Sequence, residues 1–225
     1  RQFVALAGKG FIPHRAGHGF PGAERGDVQR ADHRVRPEEV DVVGVVLRAF
    51  QHSIRVGVFG ASGTTGTELV KLLKRHPHCR LGFATSRSYA DRTLDEIDPS
   101  APAVQLRNPS DVSLDEIDVA FVCLPHGHAA PMVAQCAHAD IHCIDLSGDL
   151  RLRSEEVHAR VYGSPRPAGL AERAVYSIPE LCEDELTRAA VISNPGCYPT
   201  CVGLALEPLA RAGWLEGTIV VNAVS

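Results

Sequence analysis

From residue 53 onward, short apolar runs alternate with segments whose apolar side chains recur at helical spacing. Residues 54–59 predict a buried strand, and residues 64–75 predict a helix that ends before Pro77. Further strands are predicted at 80–85, 117–123, 141–146, 175–178 and 190–193, and a further helix at 129–138. This alternation predicts an α/β fold in which a parallel sheet is covered by helices on both faces.

Both ends of the chain differ from this pattern. Residues 1–52 contain no Ser, Thr or Asn, and their longest apolar run lies at 40–50. The segment is rich in Arg, as transit peptides are, but those are also rich in Ser and poor in acids. We therefore interpret residues 1–52 as an extension outside the fold, either disordered or translated from upstream of the true start. At the other end, residues 218–224 form a strand-like run.

The composition limits the class of protein. The 225 residues are enough for one or two domains, and 44% hydrophobic and 22% charged residues are typical of a soluble globular protein. A net charge of −4 does not indicate a nucleic-acid partner. No apolar run approaches the roughly 20 residues that cross a bilayer. Seven scattered cysteines favour reduced thiols, and hence a cytoplasmic location, over a disulfide framework.

A glycine-rich turn follows the first predicted strand. Its spacing is G-x-x-G-x-x-G, a variant of the dinucleotide-binding fingerprint. Glycines there permit a tight turn and close approach of a pyrophosphate, whose charge the free N–H groups of the next helix can hold. The turn predicts a Rossmann-like, doubly wound sheet with a cofactor site, although a plain turn without a ligand is the alternative. The candidate cofactor residues are Gly60, Ser62, Gly63, Thr64, Thr65 and Gly66.

The end of the second predicted strand indicates which dinucleotide binds. An NAD site usually places an acid there to bind the ribose 2′-hydroxyl, but residues 84–88 contain none. They offer instead the hydroxyl of Ser86 and the guanidinium of Arg87, which suit a 2′-phosphate. We therefore predict NADP(H) as the cofactor. The alternative is that Arg87 is an ordinary surface charge.

A cysteine opens the last predicted helix. Cys197 follows the strand-like residues 189–193 and the turn Asn194-Pro195-Gly196, and apolar side chains recur at helical spacing after it. Unpaired N–H groups and the helix dipole at this position favour the thiolate, which is the nucleophilic form. Cys197 is therefore a candidate nucleophile toward a carbonyl carbon. The alternative is an ordinary buried cysteine.

Other polar residues follow predicted strands, where such folds bind ligands. Ser147 and Arg151 could hold a phosphate or carboxylate, although Arg151 could instead pair with Asp149 or Glu155. The histidines and cysteines at 126, 128, 136, 138, 142 and 143 match no tight zinc spacing. We therefore predict no metal site.

Taken together, these segments resemble the N-acetyl-γ-glutamyl-phosphate reductase family of arginine biosynthesis. The resemblance covers residues 54–225 in the family's order. The last of its motifs is the most specific, since related aspartate-semialdehyde dehydrogenases usually have Asn-Cys where this chain has Gly-Cys. The matching runs are residues 60–66, 124–127, 145–152, 174–181 and 194–200.

The resemblance implies an NADPH-dependent acyl-phosphate reductase. Cys197 would attack the acyl phosphate and release phosphate, and hydride transfer to the thioester would give N-acetylglutamate 5-semialdehyde. The resemblance also implies Pro125 as a cofactor contact, and Asn194, Ser147 and Arg151 as substrate contacts. It implies a homo-oligomer for the full-length protein, with no nucleic-acid or membrane partner.

The resemblance further implies two domains and some departures. We expect residues 53–197 to form the NADP-binding domain and residues 198–225 to begin an α+β substrate and dimerisation domain that is cut off. The family's catalytic histidine would lie beyond Ser225, and truncation would put the activity of this chain in doubt. Ser177 stands where a glycine is common in the family.

Two alternatives to this function remain. Homologous reductases act on aminoadipyl phosphate or aspartyl phosphate, and one methylene changes binding by only about 1–3 kcal/mol. A different class is a non-catalytic NADP(H)-binding module in which Cys197 is a core or redox-sensing thiol.

Overall fold

The computed structural model describes residues 53–163, 165–166, 168–182, 186 and 189–224. The interpretation of residues 1–52 therefore lies outside the described residues. The described residues up to Leu204 belong to one compact unit, and those from Ala205 belong to another.

A seven-stranded sheet, in which every pair of strands is parallel, forms the centre of the first unit. The strand order is β3-β2-β1-β4-β5-β7-β6. Chain order reverses at β1, because β2 and β3 lie on one side of it and β4 to β7 on the other. The strands are β1 (Ile54–Phe59), β2 (Cys79–Thr85), β3 (Leu106–Arg107), β4 (Val119–Val122), β5 (His142–Asp145), β6 (Ala174–Tyr176) and β7 (Val191–Ser193).

Among the described residues, four longer helices and four short 3-10 turns accompany the sheet. The helices are α1 (Thr64–Leu73), α2 (Ala129–His138), α3 (Glu155–Tyr162) and α4 (Cys197–Arg211). The 3-10 turns span Leu94–Glu96, Pro109–Asp111, Leu114–Glu116 and Pro179–Leu181.

The buried apolar side chains form two clusters, as expected for a sheet covered on both faces. One cluster joins Val56 and Val58 of β1 to Val70 of α1. The other joins Val122 of β4 to Val133 of α2. The central strands are buried along nearly their whole length, which explains why their sequences are continuous apolar runs rather than alternating ones.

The predicted α/β fold is confirmed. The first strand and the helix at 129–138 have the predicted bounds, and the other predicted strands differ by one or two residues at their ends. The strand β3 and the helix α3 were not predicted. The helix predicted at 64–75 ends at Leu73. The strand-like run at 218–224 is not a strand, because none of its residues pairs with a strand among the described residues. Extended, apolar sequence alone therefore did not produce a strand there.

Candidate functional site

The loops that carry the predicted site residues meet at the carboxyl edge of the sheet. Backbone hydrogen bonds join the first residue after each strand to the neighbouring strand. The distances are 2.8 Å from Cys123 N to Phe59 O, 3.0 Å from Leu146 N to Val122 O, and 2.8 Å from Asn194 N to Asp145 O. The loops after β1, β4, β5 and β7 therefore lie side by side in that order. With neighbouring strands about 4.8 Å apart, β1 and β7 are separated by roughly 14 Å.

Two glycines make the turn between β1 and α1 possible. Gly60 has φ of +82°, and a Cβ there would lie 2.5 Å from the carbonyl oxygen of Cys123. A Cβ on Gly66 would overlap the carbonyl oxygen of Gly60. Any side chain at either position would push the helix away from the strand. The close packing of helix and strand that the fingerprint predicts is therefore present.

The start of α1 is open for an anion. Its N-cap residue, Gly63, has no side chain and so makes no capping hydrogen bond. The N–H groups of Thr64 and Thr65 precede the first intrahelical bond, which Thr67 donates to Gly63. Both threonines are exposed. Free N–H groups at the positive end of a helix dipole are the usual cradle of a phosphate.

A cavity of about 780 Å³ lies against this turn. It brings together six of the nine predicted cofactor residues, which are Gly60, Ser62, Gly63, Ser86, Arg87 and Pro125. Thr64, Thr65 and Gly66 do not line it; the threonines lie exposed at the helix start and Gly66 packs against the strand. A cavity of this volume is within the range of small-molecule and cofactor sites.

The loop after β2 is tied to the glycine turn. The hydroxyl groups of Ser62 and Ser86 are 2.7 Å apart, and the Ser86 side chain is buried. Arg87 is exposed and makes no hydrogen bond or ion pair with any residue in the described ranges. Its guanidinium is therefore available to a ligand in the cavity, as a 2′-phosphate contact requires.

One wall of the cavity was missed by the sequence analysis. It consists of Pro131, Met132 and Gln135 of α2 together with His128 just before that helix. These positions recur at intervals of three and four, so they share one helix face. The signal was present in the sequence, but only the pairing of β4 with β1 shows that this face turns toward the glycine turn.

The loop after β5 contains a buried carboxyl group. Asp145 is fully buried, and its two oxygens accept hydrogen bonds from Ser147 N at 2.9 Å and Ser147 Oγ at 3.0 Å. Burial raises the pKa of Asp145 to about 6, against the lowering effect of these hydrogen bonds. Ser147 is itself buried, and its hydroxyl also accepts from Asp149 N at 3.0 Å. The geometry therefore favours a role for Ser147 in shaping the loop.

Arg151 supports the turn before Cys197. Its Nε donates to Asn194 O at 3.0 Å and its Nη2 donates to Leu146 O at 3.0 Å. A Cβ on Gly196 would lie 3.0 Å from its Nη1. No ion pair with Asp149 or Glu155 forms, so the charge is balanced by backbone carbonyl groups and by the field of buried Asp145. Arg151 is therefore a cation beside the turn that precedes the candidate nucleophile.

Cys197 is the first residue of α4 and is exposed. The alternative of a buried core cysteine is therefore wrong for the described residues. Cys123, at the wall of the cavity, differs from Cys197 both in its position and in the reactivity of its thiol. Burial raises the pKa of the Cys123 thiol to about 12, which keeps it protonated and a poor nucleophile. None of the seven cysteines, all of which lie in the described ranges, forms a disulfide bond.

Two further findings concern the described ranges as a whole. They contain no group of three or more His, Cys, Asp or Glu side chains that could hold a metal ion. None of their helices combines the length and apolar character needed to span a bilayer.

Comparison with known proteins gives one family match. The profile of the semialdehyde dehydrogenase NAD-binding domain matches residues 55–189. Among solved structures, aspartate semialdehyde dehydrogenase II of Vibrio cholerae, complexed with ASA, superposes with a TM-score of 0.54 at 20% identity. The match covers 72% of this chain and 47% of that chain, and it is a likeness of fold.

Curated relatives are similar over most of the chain. An N-acetyl-gamma-glutamyl-phosphate reductase of Akkermansia muciniphila is 43% identical over 176 residues, which are 75% of this chain and 51% of that protein. A reductase of the same name from Moorella thermoacetica is 38% identical over 181 residues, which are 76% of this chain and 51% of that protein. The chain thus spans about half the length of the curated relatives it matches.

Proposed function

Since this chain belongs to the family of semialdehyde dehydrogenase NAD-binding domains, we propose that it supplies the cofactor site and nucleophile of an NADPH-dependent reductase. The substrate that we propose is N-acetyl-γ-glutamyl phosphate, and the products are N-acetylglutamate 5-semialdehyde and phosphate. The names of the similar curated proteins support this substrate. The single observation that carries the chemistry is the exposed Cys197 at a helix start on the same sheet edge as the glycine turn.

The residues of the cavity fit a dinucleotide with a 2′-phosphate. The N–H groups at the start of α1 would hold the pyrophosphate, since Gly60 and Gly66 leave room for nothing larger than hydrogen. Ser86 and the unpaired Arg87 would hold the 2′-phosphate. Bound NADPH supplies the hydride that reduces the acyl group.

Cys197 would carry the acyl group through the reaction. Its thiolate attacks the acyl carbon, the bond from that carbon to the phosphate oxygen breaks, and the leaving electron pair departs with phosphate. After hydride transfer, collapse of the thiohemiacetal releases the aldehyde and returns the electron pair to sulfur. N–H groups at the start of α4 would stabilise the oxyanion that forms at both addition steps.

Arg151 and Asn194 would position the anionic substrate. The Nη1 group of Arg151 lies beside Gly196 and is not used by its two backbone hydrogen bonds. The Asn194 amide donates to Pro195 O at 2.9 Å and shapes the turn from within. We propose that Arg151 binds an anionic group of the substrate, and that Ser147 acts through the loop rather than by contact.

We further propose a cytoplasmic location and a homo-oligomer for the full-length protein. Seven cysteines, none of them in a disulfide bond, support a reducing compartment. The ligands that we propose for the protein are two small molecules, the nucleotide and the acyl phosphate.

Acylation of the chain by its substrate tests the proposal. N-acetyl-γ-glutamyl phosphate would be added to the chain without nucleotide, and peptides would be examined by mass spectrometry. We expect one N-acetylglutamyl group on Cys197, and none at any site in Cys197→Ala. Addition of NADPH should then discharge the group and release the semialdehyde. Acylation spread evenly over the exposed thiols would contradict a dedicated nucleophile.

A further inference from the structure

One buried carboxylate joins two loops of the candidate site. Asp149 is 1% exposed, and its oxygens accept hydrogen bonds from Gly127 N at 2.8 Å, Ala129 N at 3.2 Å and Ala130 N at 3.0 Å. These donors belong to the wall of the nucleotide cavity and to the first turn of α2. His128, the N-cap residue of α2, makes no side-chain capping bond. Asp149 therefore caps that helix from a different loop.

A hydrogen bond in the opposite direction also joins the loop after β4 to the loop after β5. Gly148 N donates to Nδ1 of His126 at 2.9 Å. The His126 ring lies on the ring of Tyr162, with 4.8 Å between their centres. A Cβ on Gly148 would lie 2.5 Å from the Tyr162 ring and 2.8 Å from His126. Four hydrogen bonds thus fix one loop against the other, and the ring contact holds His126 against Tyr162 of α3.

Further hydrogen bonds connect the loop of Asp149 to the turn that precedes Cys197. Asp149 N donates to Ser147 Oγ at 3.0 Å, and Ser147 is bound in turn to buried Asp145. Two residues further on, Arg151 donates to Asn194 O at 3.0 Å, next to the turn before Cys197. An unbroken series of contacts therefore runs from the cavity wall to the start of α4.

We propose that Asp149 is a positioning residue that couples the nucleotide cavity to the turn before Cys197. A nucleotide in the cavity then changes the rate at which the Cys197 thiol reacts. This inference rests on the proposed function, since it requires nucleotide in the cavity and chemistry at Cys197. Asp149 acts only through the backbone groups that it holds.

The test separates coupling from simple shielding of the thiol. ADP-ribose 2′-phosphate carries the pyrophosphate and 2′-phosphate but no nicotinamide ring that could cover Cys197. The rate of Cys197 alkylation by iodoacetamide would be measured on the chain with and without this nucleotide at saturation. We expect saturation to change the wild-type rate at least about threefold, which corresponds to roughly 0.7 kcal/mol in activation free energy.

Asp149→Asn should remove this response. The amide directs a donor at N–H groups that need an acceptor, so we expect about tenfold weaker nucleotide binding. We also expect an alkylation rate that no longer depends on nucleotide. Asp118→Asn is the matched control, because its half-buried carboxylate pairs with Arg55 at the opposite edge of the sheet. It should lower stability while keeping the full nucleotide response.

Each outcome decides the matter. Equal loss of the response in both variants, or a full response in Asp149→Asn, overturns the coupling. A wild-type chain that binds nucleotide without any change at Cys197 overturns the coupling and leaves the proposed function standing. A wild-type chain that binds no nucleotide overturns both. If Asp149→Asn does not fold, Ser147→Ala, which removes only the hydroxyl beneath Asp149 N, must reduce the response instead.

Discussion

At the scale of single residues, position along the sheet edge decides chemistry more than residue type does. Cys123 and Cys197 both follow strands and both face the candidate site region. The first is packed into the cavity wall, where burial disfavours its thiolate. The second is exposed at the first residue of α4, where backbone N–H groups can interact with an anion. Only the second has the surroundings that a nucleophile needs.

Alkylation rates should distinguish Cys197 from its neighbour on the same helix. Cys201 is also exposed but lies one turn further along α4, where the N–H groups are paired. We expect iodoacetamide to label Cys197 about fivefold faster than Cys201 at neutral pH, since a helix N-terminus favours an anion by up to about 1 kcal/mol. Quantitative mass spectrometry of the two peptides measures the ratio. Equal rates would remove the chemical basis for the nucleophile.

Arg87 should decide between the two nicotinamide cofactors. Arg87→Ala removes the one unpaired cation of the loop after β2, so we expect NADPH affinity to fall about tenfold while NADH affinity stays unchanged. Arg75→Ala, an exposed arginine at the far end of α1, is the matched control and should change neither affinity. Fluorescence titration with both nucleotides gives the ratio. An unaltered NADPH to NADH preference in Arg87→Ala would refute the 2′-phosphate role.

Asp145 should make stability depend on pH. Its pKa in the fold is about 6, above its ordinary value, so the protonated form is favoured by folding. That contribution is complete below about pH 4 and is lost as pH rises through 6. Asp145→Asn has no such loss, so its stability relative to wild type should rise by up to about 3 kcal/mol between pH 4 and pH 7. Urea unfolding at several pH values measures this difference, and a constant difference would contradict it.

At the scale of elements, the β1–α1 turn shows how the absence of a side chain at one glycine allows a helix to pack closely on a strand. Gly66 sits in the first turn of α1 directly over the carbonyl group of Gly60. This contact fixes the direction of the helix, and the helix direction aims the free N–H groups at the cavity. The phosphate cradle is therefore a property of the packed pair of elements rather than of the glycines alone.

Gly66→Ala should damage both stability and nucleotide binding. The added methyl group overlaps the backbone, so we expect a loss of about 1–3 kcal/mol in the free energy of unfolding. Thr65→Ala, one residue earlier and exposed, should stay within about 0.5 kcal/mol of wild type. Denaturant unfolding and NADPH titration of both variants provide the comparison. A Gly66→Ala chain as stable as Thr65→Ala would show that the helix can move away without cost.

At the scale of the whole molecule, strand order assembles the site. Pairing of β1 with β4 brings the glycine turn to the wall of α2, and pairing of β5 with β7 brings Arg151 under the turn before Cys197. The cavity lies where chain order reverses, at the carboxyl ends of β1 and β4. Ligand sites at such reversal points are general in open parallel sheets.

Nucleotide binding should stabilise the whole first unit. At a hundredfold excess over its dissociation constant, NADPH should contribute about 2.7 kcal/mol, because it binds only the folded chain. For a unit of this size, that corresponds to a rise of roughly 5–10 °C in Tm. Cys197→Ser should show the same rise, since the thiol does not line the cavity. Scanning calorimetry with and without nucleotide makes the measurement, and a Tm independent of NADPH would contradict the cofactor site.

Much of this arrangement was accessible from the sequence, because it depends on local patterns. Apolar runs marked the central strands, and glycine spacing marked the turn between Phe59 and Thr64. The strand-like run at 218–224 pairs with no strand among the described residues, since a strand needs a hydrogen-bonded neighbour as well as extended, apolar sequence. The role of Asp149 was missed because its partners lie about twenty residues away and are backbone groups.

The sequence by itself determined the alternating architecture, the dinucleotide turn and a cysteine at a helix start, since each is encoded within a few adjacent residues. Only the tertiary structure decided which of these features share an edge, which hydroxyl groups are already bound within loops, and which carboxyl groups are buried. Those properties depend on strand pairing and on exclusion of water, and both join residues that are distant in the chain. Each motif of the site is therefore encoded by adjacent residues, but contacts between distant residues bring the motifs together.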